Sequence, residues 1–395
     1  MTPALESEPV SVGDAAGRVL ATAVVAGRDL PGFANSAMDG FAVRAQDLAR
    51  AAPGNRIRLV LAGEVGAGAV FAGEVRPGTT VRIMTGAPIP AGADAVLELE
   101  EAIEEGSEVL MQSAAEPGRN VRGAGTDVRR GEVALDAGAP LGPAQLALLA
   151  ALGEDLVECT RQPVVAVVAT GDEVVEAGQK IGAGQVYDAI GPSLNAAVTL
   201  TGGRPVMIRR ARDNADEVRR ALRDAAAADL VLSVGGVSMG RYDLVRPAVE
   251  ELGRLDFWKV AMRPGKPLAV GEVLGRPFVG LPGNPVSALV GFEVFVLPAL
   301  LQMGGRHGWR RPSVEAELAA PLKTPPGLRT FARARLEARP DAVPLAYPAP
   351  GQASYQLGWH ARSNALLDIP EGIGDLEAGE AVTALLMDQA PGPPL

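Results

Sequence analysis

The chain has 395 residues, 47% of them hydrophobic and 21% charged, with a formal net charge of −10. That size and apolar content suit about two to four packed domains, and the acidic balance, offset by no local basic run, excludes broad binding of nucleic acid or an anionic membrane. One cysteine, Cys159, and two histidines, His307 and His360, exclude a disulfide framework, a zinc cluster and the Ser-His-Asp, Cys-His and multi-histidine chemistries.

In chain order, the first thirty residues give an ambiguous lead. From Leu30, short β-branched runs such as RIRLVLAGEV and TTVRIM alternate with Gly and Pro breaks, which predicts a small, mostly β domain. At residues 141–153 the run LGPAQLALLAALG sets Pro143 in a first helical turn and closes on Gly153, predicting a linking helix. VVAVVAT, residues 164–170, is a valine-rich strand buried on both faces, as parallel sheets require. A helical SLNAAVTLTGG, a strand RPVMIRR, a helix through ADEVRRALRDAAAA and a strand ADLVLSV follow. This alternation predicts a doubly wound parallel sheet. Residues 286–304 are apolar enough to suggest a membrane span, but Glu293 and Pro298 interrupt them, so they are read as a buried, Pro-kinked helix. From Trp309 onward, alternating segments such as FARARLEAR predict a terminal β domain, with a frayed Pro-rich tail. The expected fold is multidomain α/β. The boundaries are 1–29 with 132–161 (N-terminal and linker), 30–131 (small β), 162–308 (α/β) and 309–395 (C-terminal β-barrel-like). Cys159 is expected to be inert core, and Phe257 and Trp258 are read as core packing.

Three glycine-punctuated loops carry the chemistry: GGVSMGRYD, WKVAMRPGKP and GLPGNPVSA, between Gly235 and Ala288. All three read as strand-to-helix junctions, where open α/β sheets gather ligands, although each alone could be a plain turn. The chain has only four lysines, 180, 259, 266 and 323, and two of them fall in WKVAMRPGKP. In a chain that otherwise writes Arg, this points to compact ammonium donors for a phosphate or oxyanion. Carboxylates recur in Gly-rich loops: Asp39 in NSAMDGFAV, Asp127 in RNVRGAGTDV, Glu173 in VVATGDE, Asp213 in ARDN and Asp243 in GGVSMGRYD. Loop-tip carboxylates after buried strands can hold a hard cation that bridges phosphates.

Taken in order, NSAMDGFAV, RIMTGAPIPAGADAV, NVR…GTD, ATGDE, GGVSMG..D, PGKP and GLPGNPVSA resemble the molybdopterin molybdenumtransferase family. This is the MoeA type, also found as the E domain of gephyrin and plant Cnx proteins, and the resemblance runs from about Val10 to about Leu386. It implies insertion of molybdenum from molybdate into adenylylated molybdopterin, with magnesium and release of AMP, and a MogA-like molybdopterin-binding α/β domain. It also implies a cytoplasmic homodimer, fed by an upstream molybdopterin adenylyltransferase, whose site lies between one protomer's α/β domain and the partner's small domain. Carried over by motif, the catalytic set is Asp39, Asp127, Glu173, Asp213, Asp243, Lys259, Arg263 and Lys266, with Asp243 and Glu173 as metal ligands. Thr85, Gly235, Gly236, Ser238, Pro282, Gly283, Asn284, Ser287, Arg329 and Ser354 would bind the pterin nucleotide and molybdate, the two glycines and Ser238 cradling phosphate and Asn284 to Ser287 presenting a helix N-terminus. Thr85, Gly235 and Gly236 also suit plain turns, and Asp127 a turn or cap.

The sequence departs from the family pattern at Arg263, where many members carry Lys, at Phe41, where Tyr is common, and at Ile190, where Asn is usual. Most of the family's preceding N-terminal helix is missing from the sequence, so either the start is shortened or that helix is dispensable here. Two alternatives stay open: a scaffold of the gephyrin E-domain type, and an adenylyltransferase of the related stand-alone α/β proteins. The extra β domain bearing Asp39 and the TGAP loop separates this chain from the second.

Overall fold

The structure is a computed structural model. It describes residues 2–212, 214–236, 244–308 and 310–387, with the backbone alone at 208–210, so Asp213, Ser238 and Asp243 lie outside the described residues.

The central sheet has six strands in the order Arg204–Ala211, Val164–Thr170, Leu230–Val234, Arg276–Leu281, Ala269–Val273, Gly253–Phe257. The first four are parallel, and Ala269–Val273 runs antiparallel to both its neighbours, Arg276–Leu281 and Gly253–Phe257. The valine run behaves as its composition requires. Val165 and Val167 enter one core cluster, with Leu194 and Val198 from the helix Ile190–Leu200. Ala166 and Val168 enter the other, with Val218 and Leu222 from the helix Ala215–Ala225. Alternate side chains thus feed opposite faces, and a strand buried on both faces has no polar phase.

The antiparallel edge corrects one expectation. WKVAMRPGKP does not join a strand to a helix: it links Gly253–Phe257 to Ala269–Val273, which lie antiparallel. Within it, Met262–Arg263 pairs in parallel with the strand Arg329–Arg339 of the C-terminal domain. The middle loop therefore reaches out of its own sheet. Trp258 packs on the core as expected, but Phe257 is 38% exposed, its ring 6.4 Å from Phe295.

The C-terminal strands close a ring. Arg329–Arg339, Ala342–Pro348, Ser313–Leu318, Ala381–Leu386 and Ala365–Ile369 pair in that sequence, and the last returns to the first. Closure removes the free edges of a small sheet. The small β domain holds a six-stranded mixed sheet in which Gly40–Val43 lies between Thr79–Ile83 and Ala95–Glu98. The N-terminal lead is not loose: Ser7–Ser11 pairs antiparallel with Leu156–Thr160, just after the helix Pro143–Leu152 and its left-handed Gly153 cap. Cys159 is fully buried there.

The apolar helix Pro285–Met303 is long enough to cross a membrane, yet it packs between two cores. Ala288, Phe292 and Leu300 join the sheet's cluster, while Val286 and Val290 join a second cluster with Phe331 and Leu366 of the barrel. The expected interruption takes the form of a π turn, Phe292–Val296, directly before Pro298. Proline has no N–H and its ring crowds the carbonyl four residues back, a defect that a wider turn accommodates.

Arg161 fixes the start of the central strand. Its guanidinium donates to both oxygens of Asp229 at 2.7 and 2.9 Å and to Glu6, and Asp229 also accepts from the Val164 amide at 2.8 Å. Burial raises the Asp229 carboxyl, but the Arg161 and Val164 hydrogen bonds together hold it below the ordinary value. With a depressed folded pKa, this contribution to stability is present above the unfolded value of about 4 and is lost as pH falls through the folded one. Asp229→Asn is expected to cost about 2–4 kcal/mol at neutral pH. In thermal melts, the gap to wild type should narrow as the pH is lowered below about 4.

Candidate active site

Three parallel strands end side by side, and their ends build the first part of the site. Val164–Thr170 runs beside Leu230–Val234, which runs beside Arg276–Leu281. Their C-terminal loops carry Gly171 to Glu173, Gly235-Gly236 and Pro282 to Ser287. Thr170 Oγ1 donates to Val234 O at 3.2 Å and the Gly235 amide donates to Leu281 O at 3.2 Å, which stitches the three loops together. Gly235 and Gly236 have φ of +81° and +64°. A Cβ on Gly236 would lie 2.6 Å from Val245 Cγ2, so both conformation and packing require glycine here. Two successive left-handed residues expose the backbone in the manner of an anion-binding nest.

Glu173 leans back over this edge. A Cβ on Gly171 would meet Glu173 Oε2 at 2.6 Å, and the Glu173 carbonyl is fixed by the Val186 amide at 2.8 Å. On the third loop Asn284 is the N-cap of the helix, with Pro285 in the first turn and no side-chain cap. Proline has no N–H, and the Val286 amide donates to Ser354 O at 3.3 Å. The helix dipole therefore faces the site without a competing carboxylate cap.

The lysine loop and the barrel supply the cations. The Val260 amide donates to Lys266 O at 3.0 Å, pinching the loop so that Lys259 and Lys266 stand on its two limbs, both exposed. Arg263 lies on the two-residue strand beside Thr330. Gly265, at φ +104°, is buried with Ser287 O 3.6 Å from where its Cβ would be, so the loop sits on the start of the helix.

The structure separates the two arginines of LRTFAR. Arg329 makes a bidentate pair with Asp368 at 2.7 and 2.6 Å, which neutralises it. Arg333 is 1% exposed and has only neutral partners among its hydrogen bonds: Gly351 O at 2.8 Å, Gln356 O at 3.0 Å and Gln352 Oε1 at 3.3 Å. Burial, and then the nearby charge of Arg263, lowers its proton affinity, yet an arginine keeps its proton in a protein. A buried cation without an acid is costly unless an anion arrives. Arg333 was not among the residues singled out from sequence. The available signal was the phase of the strand, since Phe331 shares the face of Arg333 and packs on the helix while Ala332 and Ala334 fill the barrel. Burial, helped by the charge of Arg333, pushes His360 down to about 4, so it is neutral at physiological pH.

A second cluster sits on the small domain's own sheet. Asp39 Oδ1 accepts from the Thr85 amide at 2.6 Å and the Thr85 hydroxyl at 2.8 Å, and these bonds hold its carboxyl below the usual Asp range. Asn35–Ser36 pairs with Val121–Arg122, and the segment continues through a turn to the exposed Asp127, whose amide donates to Leu30 O. For Asp127 this is an exposed turn position. Phe41 is fully buried in the small domain's core. Ile190 opens its helix with 7% exposure, and the Asp188 carboxylate accepts from the Ile190 and Gly191 amides at 3.1 and 2.8 Å.

Among the described residues, no three His, Cys, Asp or Glu converge as a metal cage. That donor set still fits magnesium, which keeps its waters and is held by one or two carboxylates plus substrate phosphates. Glu173 is an exposed carboxylate at this edge.

Fold and site thus define a class: a multidomain α/β protein with a glycine nest, a helix N-terminus and a cationic loop at one edge of its central sheet. Comparison with known proteins agrees. Residues 1–153 match the MoeA N-terminal region (domain I and II), 166–302 a probable molybdopterin binding domain and 315–387 the MoeA C-terminal region (domain IV). Molybdopterin molybdenumtransferase 2 of Mycobacterium tuberculosis is 42% identical over 378 residues, 94% of this chain and 92% of its own. The Haemophilus influenzae molybdopterin molybdenumtransferase is 36% identical, over 96% and 93%. The solved molybdopterin biosynthesis MoeA protein of Pyrococcus horikoshii superposes with a TM-score of 0.85 at 30% identity, over 98% and 96%. The chain belongs to the MoeA-type molybdopterin molybdenumtransferase family.

Thr85→Val removes one of the two donors to Asp39 and keeps the amide. The Asp39 carboxyl, followed by NMR titration, is expected to move up toward the ordinary Asp value without reaching it.

Proposed function

We propose that this chain is a transferase of molybdenum cofactor biosynthesis that inserts molybdenum from molybdate into adenylylated molybdopterin, with AMP leaving. The observation that carries this reading is the meeting of three anion-binding devices at one edge: the Gly235-Gly236 nest, the Asn284–Ser287 helix mouth and the Lys259–Lys266 loop. Family membership over the whole length supplies the identity of the anions.

The residues divide the work by charge. The pterin's phosphate is assigned to the Gly235-Gly236 nest, with Ser238, outside the described residues, as a further contact, and its dithiolene to the lysine loop. Molybdate is the second anion, and two anions must be brought together against their repulsion. Lys259, Arg263 and Lys266 screen it. Arg333 takes the oxyanion role first expected of Arg329, because its charge is uncompensated while that of Arg329 is paired. Pro282 and Gly283 shape the approach, and Ser287 and Ser354 line the seam. Asp243 and Glu173 would hold magnesium, which would polarise phosphoryl oxygens. Asp213, outside the described residues, is assigned to the same group. Fixed cations favour the charge-spread transition state of phosphoryl transfer more than the ground state. Asp39, Thr85 and Asp127 complete the site from the partner of a homodimer, whose protomers divide at 1–29 with 132–161, 30–131, 162–308 and 309–395. The substrate arrives from an adenylyltransferase step, in the cytoplasm.

The test is AMP release from adenylylated molybdopterin with magnesium, with and without micromolar molybdate. Wild type should release AMP only with molybdate, and Asp243→Ala should lose about 10²–10³-fold in rate. Arg333→Lys should raise the molybdate requirement, and Arg329→Ala should change it far less. Tight adenylate binding without release at any molybdate concentration would leave a carrier or scaffold instead.

A further inference from the structure

The helix Pro285–Met303 separates the parallel-sheet core from the barrel, and the proposed oxyanion site is split across that wall. Its helix mouth belongs to one side. Arg333 and the 351–356 loop belong to the other. What sets their separation is therefore what sets the barrel on the helix.

Beside the pairing of Met262–Arg263 with Arg329–Thr330, two kinds of contact do this at the helix. The first is apolar: Val286, Val290, Val294 and Phe295 pack with Met262, Phe331 and Leu366. Such packing is close but non-directional. The second is directional: Arg311 donates from Nε to Glu293 Oε2 at 2.8 Å and from Nη2 to Oε1 at 3.0 Å. The two side chains are only 15% and 16% exposed. Arg311 stands two residues before the barrel's first strand, Ser313–Leu318, and the neighbouring Pro312 accepts from the Leu386 amide at 2.8 Å. Glu293 lies inside the π turn Phe292–Val296. A π turn adds a residue to the helical turn and re-aims the side chains on it, so one local distortion directs Glu293 to Arg311 and Val294 and Phe295 into the seam.

We infer that Glu293 and Arg311 are positioning residues for molybdate, a pin that fixes the barrel's Arg333 and Ser354 at working distance from the helix mouth. The inference rests on the proposed reaction. Neither residue belongs to the anion-binding set. The pin acts over about two helical turns, from Glu293 back to Val286, whose amide meets Ser354 O across the seam. A fork-to-fork pair resists rotation as well as separation, whereas a single-point contact would leave the barrel free to rock.

Glu293→Gln and Arg311→Lys in the full-length chain test this with two readouts: the molybdate KM and kcat for AMP release, and hydrogen exchange at the Val286 amide. Glu293→Gln is expected to raise the molybdate KM about tenfold with kcat within about twofold, and to speed exchange at Val286 but not within strand 329–339. Arg311→Lys, which keeps the charge and loses the fork, should show a smaller shift of the same kind. Wild-type KM and wild-type Val286 exchange in a folded Glu293→Gln protein would overturn the inference. If Glu293→Gln does not fold, Arg311→Lys decides by the same two values. If wild type itself shows no molybdate-dependent release, the proposed reaction fails. Val286 exchange then still decides whether the pin holds the seam: faster exchange in the variants keeps it, and unchanged exchange removes it.

Discussion

Holding positive charge in place without acids that would neutralise it is the constraint on which this site depends. The chain carries a net charge of −10, so its default surface repels the anions that its family handles. The described structure meets this locally with groups that have no counterion to trade. Nest amides and a helix mouth carry partial charges that no carboxylate quenches, and Arg333 is held by carbonyls alone. Where an arginine is matched by an acid, as Arg329 is by Asp368 and Arg161 by Asp229, it serves the architecture.

The mixed sheet has a functional consequence. A fully parallel sheet would return every strand through a helix and would keep all its loops above its own edge. Reversing Ala269–Val273 between Gly253–Phe257 and Arg276–Leu281 instead frees the 258–268 loop to leave the sheet and pair with the barrel at Met262–Arg263. The cations of this loop are thereby anchored from two sides. Its position is set by the barrel as much as by the strands that it joins.

Sequence reasoning was strongest where burial leaves a local signature. Val164–Thr170 was legible because a strand covered on both faces must be apolar at every position, and the helix Pro143–Leu152 because Pro and Gly mark its ends. The antiparallel edge was missed because valine-rich strands do not record their direction. A hairpin signal was present but disguised, since Leu274 occupies φ +48° beside Gly275 at +79°, a place where Asn or Gly normally announces the turn. Gly235 and Gly236 were legible as special, and the strain at 236 that demands glycine comes from Val245, on the following helix. The choice between Arg329 and Arg333 was beyond motif reading. It depends on Asp368, thirty-nine residues from Arg329, and on a barrel that closes only through non-local pairing.

The same non-locality explains why the apolar helix is not simply a core helix. A helix serving one core shows one apolar stripe, but Pro285–Met303 must present two, to the sheet at Ala288, Phe292 and Leu300 and to the barrel at Val286 and Val290. Two stripes leave little polar surface, which is why its composition imitates a membrane span. The charge it does carry, Glu293, lies where neither stripe covers the helix and meets Arg311 there. A residue that breaks the pattern of such a helix carries a desolvation cost that packing alone does not offset. Its hydrogen-bonded partner beside the barrel's first strand makes that cost tolerable, and adds a directional side-chain pair to the strand pairing and apolar packing that hold one domain on the other.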